Sequence, residues 1–103
     1  MPDATLDQLV STLHEYLAAT ATRPVREDVS RWLGEAEAVT ADLAIGPLPD
    51  DDVVRTRLGH VEHLLSNVDS TEDDEADTHV AAARETLVEA LATLDERATE
   101  GGR

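Results

Sequence analysis

Apolar residues in this chain recur at steps of three and four in four separate stretches, and nowhere do they alternate as a half-buried strand requires. In the first stretch, Leu6, Leu9, Val10, Leu13, Tyr16, Leu17 and Thr20 share one helical face, predicting a helix over residues 5–20 with Asp3 or Thr5 as its cap. The second, Val25, Val29, Trp32, Ala36, Val39 and Leu43, predicts a helix over 24–45. Pro24 suits its first turn, and Glu27 and Asp28 lie near its positive end. Gly46-Pro47 should stop it, because glycine accepts a left-handed turn and proline cannot extend a helix. Gly34 inside this helix weakens it by up to about 1 kcal/mol relative to alanine, which close packing against a neighbour would explain. Val54, Leu58, Val61, Leu65 and Val68, widened by Val53 and Leu64, predict a third helix over 50–68. Val80, Ala83, Leu87, Leu91, Leu94 and Ala98 form a narrower stripe on a fourth, over 71–99, followed by a loose tail at 101–103.

Short connections between four amphipathic helices favour antiparallel neighbours. The expected fold is all-α, an up-down antiparallel four-helix bundle forming one domain over residues 1–100. Its core is thin. Leu, Val and Ile together number 24, there is no Phe, and Tyr16 and Trp32 are the only aromatic residues. Trp32 at a helical core position reads as core or as an interface anchor. At 1.5 Å per residue the fourth helix would be roughly 43 Å long and the first roughly 24 Å. The overhang, or the apolar surplus on the third helix along Val53, Arg57 and Leu64, offers a surface for a second subunit, so a homodimer is a further expectation.

Charge bears on where such a bundle could fold. The 103 residues carry 23 Asp and Glu against eight Arg and no Lys, a formal net charge of −15. At about 0.1 M salt the screening length is about 10 Å and such a chain repels itself; near 1 M salt it falls to about 3 Å. Excess carboxylate, Arg without Lys, and small Ala and Val in place of larger apolar residues resemble the composition of haloarchaeal proteins. With the Pro24, Gly46-Pro47 and Pro49 punctuation, the whole chain is similar to the small acidic all-helical proteins of those organisms to which no function is assigned. That resemblance implies a salt-adapted cytoplasmic protein and carries over no activity or site residue.

The absence of cysteine excludes disulfides and thiolate-held metals. The acidic start Met1 to Thr5 does not have the order of a secretion signal. The longest apolar run, as in Val80 to Ala83, is too short to span a bilayer. A cytoplasmic location and no membrane partner are the expectations. Nucleic acid is not expected as a partner either, because phosphate and these acidic faces repel.

Chemistry is thinly signalled. His60 and His63 are spaced to meet one metal ion, and His14 or His79 could join from other helices. The pattern, however, is neither H-E-x-x-H nor H-x-x-E-H. His60 after Leu58-Gly59 weakly resembles a phosphoryl-relay histidine. Glu72 with Glu75, or Glu85 with Glu89, could hold Mg²⁺, as in helical nucleotide pyrophosphohydrolases, but the Glu-x-x-Asp those enzymes add is missing. No cysteine, lysine or Gly-x-Ser-x-Gly elbow offers a nucleophile. Two readings remain. One is a non-enzymatic, self-associating helical interaction module without cofactor, with Val53, Arg57 and Leu64 at its interface. The other is a metal-dependent hydrolase of a phosphate-bearing small molecule, with His60 and His63 among its ligands.

Overall fold

A computed structural model describes residues 5–101, which form four helices: α1 (Leu6–Thr20), α2 (Glu27–Ala44), α3 (Asp51–Leu65) and α4 (Asp74–Gly101). Each packs on its neighbours in the order α1, α2, α3, α4 and back to α1, while the diagonal pairs stay apart. This is the square cross-section of a four-helix bundle. Its antiparallel sense is fixed at both ends. Arg23, just after α1, meets Asp73, just before α4, while Arg97 near the end of α4 meets Asp51 at the start of α3.

The spacing of leucine and valine determines what lies inside. On α1, Leu6, Leu9, Val10, Leu13 and Leu17 are buried together with Thr20, as expected, and Tyr16 is half-buried at the margin. On α2 the buried set is Val29, Leu33, Ala36, Thr40 and Leu43. The stripe sits about one residue around from the expected one, so Val25, Trp32 and Val39 are only partly buried against the core. Thr20 and Thr40 enter the core because each hydroxyl donates to a carbonyl of its own helix, to Leu17 at 2.6 Å and to Glu37 at 3.0 Å. That satisfies the polar atom without an external partner.

On α4, Ala76, Ala83 and Ala90 alternate with Val80, Leu87 and Leu94, a seven-residue repeat of small and large buried side chains. Alanines at that repeat let another backbone come close, and α1 against α4 is the most closely packed pair in the bundle. The sparsest is α3 against α4. Fully burying each large aliphatic side chain contributes about 1.5–3 kcal/mol, and Leu13, Leu17, Leu58, Leu64, Leu65 and Leu94 are all buried to that degree.

Three helix boundaries differ from the sequence expectation. Pro24 lies before α2, in a turn where the Val25 N–H donates to the Arg23 carbonyl, and α2 begins only at Glu27. Arg23 is tied to Asp73 across the bundle end, and this draws the connection over rather than into a helical turn. The third helix ends at Leu65, not Val68. Arg84 Nη2 donates to the carbonyls of Leu65 (2.8 Å) and Val68, and Ser66 and Asn67 side chains donate to the His63 carbonyl. These bonds replace the helical continuation. The fourth begins at Asp74, not Thr71, because Glu72 sits at φ 63°, a left-handed conformation no helix continues.

At the other boundaries the sequence signals hold. Thr5 forms a capping box with Gln8: its hydroxyl accepts from the Gln8 N–H, and its own N–H donates to the Gln8 side chain. Gly46 adopts the left-handed conformation (φ 71°) that ends α2. Asp3, the alternative cap, lies outside the described residues, as do positions 102 and 103 of the expected tail; Gly101 is still helical.

The length of α4 is absorbed largely by the bundle. Arg97 is bonded to the first turn of α3 and Arg84 to its end, and the first turns of α4 run beside the α3–α4 connection, where Val68 and Thr71 are buried. Only residues beyond Arg97 extend past that anchor.

Candidate functional site

The four histidines are dispersed over three helices. His14 on α1 lies 3.6 Å from Glu37 on α2. His79 lies 3.9 Å from Glu75, one turn back on α4. His60 and His63 are exposed on the outer side of α3. Among the described residues no group of three or more His, Asp or Glu side chains comes close enough together to hold a metal ion. His60 and His63 therefore gain no third ligand from His14 or His79. Glu75 is engaged with Arg23 (3.7 Å) and His79, while Glu85 and Glu89 are exposed along α4.

The acidic run before α4 proves to be a fastening. The Asp73 carboxylate receives two bonds from Arg23, at 3.0 and 3.1 Å, and accepts from the Ala76 N–H at 2.9 Å, so it caps α4 while tying it to the α1–α2 connection. Buried Thr71 donates its N–H (2.9 Å) and its hydroxyl (2.8 Å) to Asp77. The Arg23 guanidinium, followed by the Ala76 N–H, holds the Asp73 carboxyl below its ordinary pKa. Asp77 is lowered by the two bonds from Thr71, against burial and the like charge of Asp73. The same pairing raises Arg23. Asp73, Glu75 and Asp77 each have a partner in the fold, and among the described residues no three of the cluster's carboxylates and histidines gather to hold a metal ion.

The expected interface residues separate. Leu64 is 2% exposed and belongs to the core, because it falls within the buried face formed with Val61, Leu65 and Val68; it is not available to a partner. Val53 is 43% exposed, and Arg57 is exposed with no carboxylate within 4 Å among the described residues. Among the described residues the other large exposed apolar side chains are Ile45 (75%) and Val88 (64%).

Val88 borders the feature that sequence reasoning missed. Where α3 and α4 pack most sparsely, an open groove of about 230 Å³ runs between them, lined by Glu62, Leu65 and Ser66 from α3 and Arg84, Leu87 and Val88 from α4. Its floor is aliphatic and its charged walls come one from each helix. The signal in the sequence was Val88 itself, a β-branched apolar residue lying off the Val80–Leu87–Leu94 stripe. Two other concavities are smaller or more polar. One of about 90 Å³ lies between the end of α1 and α2 beside Gly34, and the other lies at the opposite end of the bundle around Asp51, Arg97 and Pro47.

No helix among the described residues is long and apolar enough to cross a membrane. Comparison with known proteins returns no matching curated protein and no matching solved structure. One family of unknown function, DUF8152, matches residues 9–97, and the chain belongs to it.

Proposed function

We propose that this protein is a non-enzymatic helical interaction module that self-associates in a concentrated-salt cytoplasm. The observation that carries the reading is the aliphatic groove between α3 and α4 with Val88 exposed at its rim. An exposed valine beside an open apolar groove is a surface that gains by being covered, since burying apolar area is favourable at about 25 cal/mol per Å². The charge pattern agrees with it. A net charge of −15 keeps isolated copies apart in dilute salt, and screening to about 3 Å near 1 M salt removes that barrier. The same negative surface disfavours nucleic acid as a partner.

Sedimentation equilibrium of the full chain in about 3 M KCl tests the reading, under strong screening. The expected result is a mass above that of the 11.1 kDa monomer that rises with protein concentration. A monomer at every concentration would remove self-association.

A further inference from the structure

Resting on that reading, we infer that the α3–α4 groove is the self-association surface and that its occupant is the same groove of a second copy of this chain. A two-fold dimer uses one patch twice, so the patch must complement itself. The seam between α3 and α4 meets this condition in shape and in charge.

In shape, it carries a knob beside a hole. Val88 projects at 64% exposure from the rim of a groove whose floor is Leu65 and Leu87. That groove, at about 230 Å³, is several times the roughly 30 Å³ share of one water.

In charge, its two edges are of opposite order. The α3 edge carries Arg55 and then Glu62, and the α4 edge carries Asp95 level with Arg55 and then Arg84 about one helical turn beyond the level of Glu62. A two-fold axis parallel to the helices lays α3 of each copy over α4 of the other. Glu62 then lies level with Val88 of the second copy and within one helical turn of its Arg84, and the reciprocal pair forms on the other side of the axis. Arg84 uses Nη2 for the Leu65 and Val68 carbonyls, which leaves its other N–H groups for a carboxylate.

The two charged residues that line the groove, Glu62 and Arg84, are of opposite sign, and Arg55 and Asp95 beside it pair with each other, in a chain whose net charge is −15. Two copies can therefore set Glu62 toward arginine at the groove itself, whereas a basic partner would be drawn to the acidic surface elsewhere. An apolar contact of this kind strengthens as salt is added, and a basic partner held by charge would weaken.

Sedimentation equilibrium of full-length variants in about 3 M KCl decides the matter. Val88→Glu is expected to weaken dimerisation by about tenfold or more, since it places a charge in the centre of the contact. The high exposure of Val88 should leave the far-ultraviolet circular dichroism of the monomer unchanged. Glu62→Arg, also at an exposed position, sets arginine against arginine and should weaken the dimer as well. Val53→Glu and Ile45→Glu alter the other exposed apolar positions and should leave it intact. A dimer that survives both Val88→Glu and Glu62→Arg, above all one lost in Val53→Glu, overturns this surface while leaving self-association standing. A wild-type chain that is monomeric throughout overturns both.

Discussion

Two carboxylates in this chain illustrate how a residue's role depends on what it reaches. By composition Asp73 and Asp77 are two of 23 acids near a helix start, where the helix dipole alone explains them. In the folded chain they hold the α4 terminus to the α1–α2 connection through Arg23 and to the buried Thr71. Both have folded-state pKa values below the ordinary one. A lowered folded pKa stabilises fully above the unfolded value, about 3.9, and that stabilisation is lost as pH falls through the folded value. In about 3 M KCl, where carboxylate repulsion is screened, the urea midpoint should therefore drop as pH falls below about 4. Asp73→Asn should lower the midpoint at neutral pH and flatten the acid slope; a slope unchanged by the substitution would contradict the linkage. Gly34 makes the opposite point. The sequence suggests close packing there, yet a Cβ at Gly34 would meet nothing within 4 Å. Gly34→Ala should thus raise stability by about 0.5–1 kcal/mol, seen as a higher thermal midpoint, since it removes the backbone-entropy cost of a mid-helix glycine without a clash.

Among the helices, legibility followed periodicity. The α1 face and the Val80, Ala83, Leu87 and Leu94 part of the α4 stripe were readable because Leu and Val at three- and four-residue steps leave one way to bury them. Ala76 and Ala90, however, are buried outside the expected stripe, and of its members Leu91 is half-buried and Ala98 exposed. The α2 stripe was misplaced by about one residue because Trp32 and Val39 mark the edge of the face, while Leu33 and Thr40 lie at its centre. No local pattern reveals that a threonine will satisfy its hydroxyl on its own helix. The boundaries at α2, α3 and α4 were hidden for a related reason: they are set by Arg23 reaching Asp73 and Arg84 reaching Leu65, contacts between residues far apart in sequence. The groove was invisible because it is a gap between two helices, and spacing along one helix does not report how sparsely it packs on the next. The small residues of α4 carry a testable consequence. Ala83 is fully buried on the helix that approaches α1 most closely. Ala83→Leu should destabilise the protein by about 1–3 kcal/mol through overpacking. At Ala81, which is exposed, the same substitution should stay within about 0.5 kcal/mol of wild type in denaturant unfolding.

For the molecule as a whole, the balance lies between a thin aliphatic core and a strongly negative surface. The described ion pairs engage Arg23, Arg26, Arg55 and Arg97, and Arg84 serves backbone carbonyls, so few positive charges remain to offset the carboxylates. Pairwise neutralisation cannot balance 23 acids with eight bases. Dissolved ions can screen the residual repulsion. At about 0.1 M salt the screening length of about 10 Å is comparable to the spacing between neighbouring helices, so carboxylates on adjacent helices repel; at molar salt it is shorter than that spacing. Lowering KCl from about 3 M to about 0.1 M should therefore lower the thermal midpoint and loosen the bundle, followed by circular dichroism. The control is replacement of exposed carboxylates without a described partner, such as Asp52→Asn, Glu85→Gln and Glu89→Gln together. If repulsion sets the salt requirement, this variant should retain its midpoint to lower KCl than wild type does. An equal salt dependence in the two proteins would instead place the effect in the apolar core, where concentrated salt strengthens burial without regard to surface charge.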